Sequence, residues 1–374
     1  MEQLHPSPHI FPNPASNTFI NPPLSPSPPR TMSTSSGPIE SSGVHPASCR
    51  PMKVFKGQKK VNSVAYFPDG RRIARSSSDK TVVIWDIASD KQDGQRLQHE
   101  SGVRWIAISP NGRRIASAIE KRVVVWDALT LEVVHELDDA GVFRLAYSPD
   151  GRWIATARWA NESVVRLWDA DTGRPGRLEA LKCDDGVVCV AFSPDGTQIA
   201  VGLWDGCIQV IDISTGESVV GPIEGHTRYV RSIVYSPDGR HLVTGSDDEN
   251  GIRVWDSNTG VQVGNAMGHG NGVIRCISIT ADGRRIVSGG RDVRVWDLET
   301  RLQVGDSVDA AHGAVLSVAF SPDGQHIISG GDHGVVSLWD TESFATQGSS
   351  FSNQNPPVGI LCVSFLSANI PCFH

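Results

Sequence analysis

The chain has 374 residues, 39% of them hydrophobic, and a formal net charge of −7. That apolar content suffices for a large packed core, while the acidic balance gives no general pull toward nucleic acid or an anionic membrane. The seven cysteines, at 49, 183, 189, 207, 276, 362 and 372, form no Cys-x-x-Cys pair, which excludes a paired zinc spacing. Cys189, Cys207 and Cys276 fall inside strand-like runs, so buried thiols in a reducing compartment are expected.

Residues 1–50 hold 11 of the 23 prolines, 10 serines and few large aliphatic side chains. Such a segment buries too little apolar surface to offset the entropy of ordering it, so disorder is expected. Its Ser7-Pro8, Ser25-Pro26 and Ser27-Pro28 pairs fit proline-directed phosphorylation, although composition alone generates such pairs. With no signal peptide and no 18-residue apolar run, a cytoplasmic protein is expected, the nucleus being the alternative. Residues 52–55 (MKVF) then read as a lone strand ahead of a long periodic region.

That region is clearest at 225–256, GHTRYVRSIVYSPDGRHLVTGSDDENGIRVWD. Alternating apolar residues interrupted by polar turns mark three antiparallel strands. In the turn Ser236-Pro237-Asp238-Gly239, proline presets φ, Asp suits the next position and Gly accepts a positive φ. Seven such units end at Asp86, Asp127, Asp169, Asp212, Asp256, Asp297 and Asp340, spaced by 41, 42, 43, 44, 41 and 43 residues. The turn recurs as FPDG at 67–70, SPNG at 109–112, TADG at 280–283, and SPDG at 148–151, 193–196 and 321–324. Six units end in Trp-Asp and the fourth in Ile211-Asp212. After Asp340, residues 358–365 (VGILCVSF) look like the first strand of a further unit that then stops.

A period of this length with a Gly-His to Trp-Asp frame resembles the WD40 repeat, and the likeness covers roughly residues 52–340. The resemblance implies an all-β, seven-bladed WD40 β-propeller with a disordered N-terminal segment. The expected division is 1–50 disordered, 51–348 propeller, and 349–374 a tail resembling a truncated eighth repeat. Closure leaves no long unpaired edge. Two segments, 52–55 and 344–347, fit the outer strand of the last blade; 52–55 is expected to fill it.

Where intact, the family carries a buried hydrogen-bond network in each blade. Blade 5 matches it with His226, Thr244 (or Ser246), Asp248 and Trp255, and blade 6 with His269, Ser288, Asp292 and Trp296. Blade 7 offers His312, Ser329 and Trp339, with His333 at the Asp position. Blade 1 has Asp79 and Trp85, with Gln58 in place of His. Blades 2 to 4 look depleted: blade 2 keeps Trp126, with His99 nearby but lacking the preceding Gly; blade 3 keeps Thr156 and Trp168; blade 4 keeps Asp205.

No P-loop, His-Glu-x-x-His or Gly-x-Ser-x-Gly motif occurs, so no catalytic residue, cofactor or metal is expected. In this family the residue before the Asp of each second turn lies on the top rim, and here it is Ser78, Glu120, Trp159, Trp204, Asp247, Arg291 or Asp332. Trp159 and Trp204, in adjacent blades, suggest a partner-binding site with Arg158, Tyr229 and Arg291, unless the tryptophans fill their own blades. The acidic Asp184-Asp185 loop beside them suggests a basic or amphipathic peptide. The expected function is a monomeric, non-catalytic scaffold binding a protein or peptide, with no nucleic acid or membrane partner. Two alternatives stay open: the regulatory array of a fungal NTPase-type signalling system whose catalytic module lies outside this chain, and a propeller enzyme, which would need carboxylates or histidines converging on the channel.

Overall fold

A computed structural model describes residues 50–345, except 58, 159–162, 179, 249–250, 269–271 and 310–312. The readings made at 1–49 and 346–374 therefore lie outside the described residues, as do Gln58, Trp159, His269 and His312. No helix among the described residues is long and apolar enough to cross a membrane.

The described chain forms seven small antiparallel sheets, one per repeat. In blade 5 the strands Val230–Tyr235, His241–Ser246 and Ile252–Asp256 pair in sequence. Its outer edge is completed by isolated pairings of Met267 with Ile252 and of Gln262 with Trp255. The first strand of each blade packs against the first strands of the blades before and after it, which closes the ring around a central channel.

Each blade has two apolar faces, and the core is split accordingly. Among the described residues the buried apolar side chains fall into seven clusters, and each spans one blade-to-blade interface. Val243, Ile252 and Val254 of blade 5, for example, meet Ile274, Ile277 and Ile286 of blade 6. A single blade leaves both faces wet, so burial comes only from stacking neighbours.

The last blade is closed by the strand Lys53–Lys56, which pairs with Val335–Asp340 in the register Lys53↔Leu338 to Lys56↔Val335. Phe55 is buried and its ring lies 5.4 Å from that of Trp85 in blade 1. The competing segment takes another course. Glu342–Ala345 forms a short helical turn that buries Phe344 edge-on against Trp339, with ring centroids 6.4 Å apart. Gly305, at φ +63°, lies where a Cβ would come within 1.5 Å of the Phe344 carbonyl oxygen, so only glycine permits this packing.

The Ser-Pro-Asp-Gly turns have a second use that the sequence pattern does not display. In blade 5 the Ser236 hydroxyl donates to Asp238, and the His241 amide donates back to Ser236 Oγ at 2.9 Å. The turns also touch one another around the ring. A Cβ on Gly283 would sit 3.2 Å from Pro237 of the preceding blade, and the same meeting recurs between Gly239 and Pro194, Gly196 and Pro149, and Gly151 and Pro110. Proline of one turn thus lies beside glycine of the next around this face of the ring.

Candidate functional site

The blade networks show which polar residues are structural. In blade 5 Trp255 Nε1 donates to Thr244 Oγ1 at 2.8 Å. Thr244 Oγ1 lies 2.8 Å from His226 Nε2, and His226 Nδ1 lies 2.8 Å from Asp248 Oδ2. With the imidazole proton on Nδ1, every member of the chain is satisfied. Burial alone would raise the Asp248 carboxyl, but His226 and the Thr227 amide hold it below the usual carboxylate range. Thr244, not Ser246, is the network hydroxyl; Ser246 donates to the Arg228 carbonyl at 3.1 Å. In blade 6 Trp296 Nε1 donates to Ser288 at 2.9 Å, while Asp292 accepts from Arg294 at 3.0 Å. In blade 7 Trp339 Nε1 donates to Ser329 at 2.8 Å.

The depletion expected of blades 2 to 4 holds for the hydroxyl and indole of blade 4 and is corrected for blades 2 and 3. In blade 2 His99 is buried, with Nε2 2.8 Å from Ser117 Oγ, which also accepts from Trp126 Nε1. Lacking an Asp, its Nδ1 turns to the Leu97 carbonyl at 3.1 Å. Blade 3 inverts the charge: Asp139, fully buried, stands where blade 5 has His226. Asp139 accepts from Thr156 and from Arg166 at 2.9 Å, with Arg158 Nε 3.7 Å away. In blade 4 Val201 and Ile211 replace the hydroxyl and the indole, and Asp184 is held by the buried Gln209. Asp205 is exposed and caps its turn by accepting from the Cys207 amide at 2.8 Å.

These contacts sort the rim residues. Arg158 leans into its own blade toward Asp139, and Asp184, itself exposed, accepts from Gln209 of its own blade. Arg291 is exposed. Trp204 and Tyr229 pack as an inter-blade pair with ring centroids 5.0 Å apart, both half-buried. Arg231 lies over the Tyr229 ring at 5.1 Å and forms a two-pronged ion pair with Asp247.

Arg231 leads from this pair into a cavity at the top mouth of the channel. The cavity holds about 520 Å³, and its cationic wall is Lys60, Arg104, Arg144, Arg231 and Arg275. Arg144 projects from a first strand across the channel. Its guanidinium lies 3.6 Å from the centre of the Trp105 ring and donates to the carbonyls of Arg231 and Arg275, both at 3.3 Å. Its Nε is shut off from solvent and finds no hydrogen-bond partner among the described residues. Burial, with a smaller push from Arg231, lowers its ionisation to about 10. This cluster was invisible in sequence, since its residues sit one per blade, in or just before a first strand that otherwise reads as apolar. Among the described residues no group of three or more His, Cys, Asp or Glu is placed to hold a metal ion.

Seven stacked antiparallel sheets of three to five strands around a channel define a seven-bladed β-propeller. The family described as WD domain, G-beta repeat matches seven times, at 49–86, 93–127, 131–169, 177–212, 217–256, 260–297 and 306–340, and the chain belongs to this WD40 family. Among curated proteins it is similar to WD repeat-containing protein SL1-17 of Schistosoma mansoni, 28% identical over 193 residues, covering 50% of this chain and 62% of the relative. It is 24% identical over 209 residues to the serine-threonine kinase receptor-associated protein of Gallus gallus, covering 54% of this chain and 57% of that one. It is 26% identical over 225 residues to actin-interacting protein 1 of Drosophila melanogaster, covering 58% of this chain and 36% of that one. The chain thus spans less than two thirds of the length of each of these relatives.

Proposed function

We propose that this propeller is a non-catalytic interaction platform that receives a segment of a partner protein across the top mouth of its channel. The observation that carries this reading is the unbroken ladder from Trp204 and Tyr229 through Arg231 to the Arg144–Trp105 stack. Aromatic and arginine side chains dominate binding hot spots because they bury much area for little lost rotamer freedom. The names of two relatives, a receptor-associated protein and an actin-interacting protein, support a role in protein association.

The polarity of the mouth favours an acidic segment over the basic one expected from Asp184-Asp185. Arg104, Arg144 and Arg275 of the cavity wall face one wall carboxylate, Glu120, and neither Asp184 nor Asp185 belongs to that wall. The test is quantitative capture of a partner by the full chain and by a Trp204→Ala, Tyr229→Ala variant. A lost hot-spot aromatic costs ~2 kcal/mol or more, so affinity should fall at least about thirtyfold. Both residues are half-exposed, so the thermal midpoint should stay nearly unchanged. Undiminished capture by the folded double variant would overturn the reading.

A further inference from the structure

Two of the five cations at the channel mouth are already balanced by neighbours. Lys60 pairs with Asp332 at 3.0 Å, and Arg231 with Asp247. Arg104, Arg144 and Arg275 then face the single wall carboxylate of Glu120, a surplus of two positive charges. No ion pair engages Arg104, Arg144 or Arg275 among the described residues. Arg144 is the most exacting of them, because it is held over the Trp105 ring with Nε enclosed and unmatched. A cation withdrawn from water without a counter-charge is costly to a fold, and an incoming anion relieves that cost.

We propose that the mouth is a phosphate subsite that takes the phosphate ester of a phosphorylated side chain on the partner segment. This rests on the platform reading above and names the chemistry of its ligand. A phosphate monoester carries between one and a half and two negative charges near neutral pH, which matches the surplus, and its oxygens suit guanidinium donors. A carboxylate would neutralise only half of it. The cavity, at about 520 Å³, is far larger than a bare ion, and Trp105, Phe143 and Leu316 supply apolar wall for the residue that carries the phosphate. Trp204 and Tyr229, linked to the cavity through Arg231, would receive the flanking backbone.

The experiment is calorimetric titration of the full chain with three probes: a blocked pentapeptide Ala-Ala-phosphoserine-Ala-Ala, the same peptide with serine, and inorganic phosphate. The phosphopeptide should bind at least tenfold more tightly than either of the others. Arg275→Gln, at a partly exposed position, should weaken it at least tenfold without moving the thermal midpoint, and Arg104→Gln should act in the same direction. Arg144→Met should abolish binding; should that variant misfold, the Arg275 and Arg104 variants decide alone. Equal affinity for the two peptides, or an unchanged Arg275→Gln, would overturn the subsite. Inorganic phosphate bound as tightly as the phosphopeptide would overturn its assignment to a side chain. The two readings fail separately. Partner capture that needs Trp204 and Tyr229 but survives Arg275→Gln removes the phosphate subsite and leaves the platform. Phosphopeptide binding alongside capture indifferent to Trp204 and Tyr229 does the reverse.

Discussion

At the scale of single residues, similar side chains have opposite duties according to what they touch. Trp255 is 2% exposed, closes the blade 5 relay on Thr244 and packs in the core between blades 4 and 5. Trp255→Ala should cost ~3–5 kcal/mol in denaturant unfolding, against less than ~1 kcal/mol for the half-exposed Trp204→Ala. Equal small effects would contradict the difference in burial. His99 makes a separate prediction. Burial lowers its ionisation below the ordinary histidine value, only partly countered by the Leu97 carbonyl. Its folded value lies below its unfolded one, so between the two the unfolded chain takes up a proton that the folded chain refuses. Its contribution is complete above pH ~6.5 and is lost as pH falls toward the depressed value. His99→Gln should therefore flatten the fall in stability between pH 7 and pH 5; an unaltered slope would show that His99 titrates normally.

At the scale of the blade, the same problem is solved in several chemistries. Each unit must tie its entry loop to its second and third strands, and blade 5 does so with an imidazole between a hydroxyl and a carboxylate. Blade 3 does it with a loop carboxylate and strand guanidinium groups. Asp139→Asn removes the charge that faces Arg166 and Arg158 and should cost ~1–3 kcal/mol, the usual penalty for a buried polar group left unmatched. Asp139→His, which restores the family residue, should fail to rescue it, because the arginines would then face an imidazole. Rescue would show that the loop accepts either charge. The seven strands-and-turn units were legible in the sequence because period, turn chemistry and alternation all agree. The blade 3 arrangement was not. A search for the family's His and Asp finds neither, and only the folded loop shows that Asp139 occupies the histidine's place. His99 was noted but left out of its blade's network for a related reason: the glycine expected before it is Gln98, yet the imidazole reaches Ser117 all the same.

At the scale of the whole molecule, the ring is both the source of stability and the maker of the site. Among the described residues every apolar cluster is shared between two blades, so no blade is stable by itself. Removal of residues 1–57 takes away Lys53–Lys56, leaves Val335–Asp340 as a bare edge and strips Phe55 from the cluster between blades 7 and 1. That truncation should aggregate, while removal of 1–50 should leave a soluble, cooperative protein; a soluble 1–57 truncation would show that another segment serves as the outer strand. The channel mouth has the same dependence. Arg104, Arg144, Arg231 and Arg275 come from four blades and converge only when the ring is complete, which is why residue patterns announced the fold but not this cluster.

The closing strand also has a history that the finished ring conceals. During synthesis Lys53–Lys56 leaves the ribosome hundreds of residues before Val335–Asp340 exists, since Lys53 finds its partner only in Leu338. For that interval it is an orphan strand with Phe55 at its centre, the kind of segment that pairs with copies of itself. Its sequence, Lys-Val-Phe-Lys, places a charge at each end, and charged flanks discourage edge-to-edge association. In the folded ring one of those guards gains a new task, as Lys53 Nζ reaches the Ile87 carbonyl at 2.6 Å and Asp90 at 2.8 Å. This early strand must wait for its partner, and one of the lysines that keep it solitary on the ribosome helps latch it afterwards.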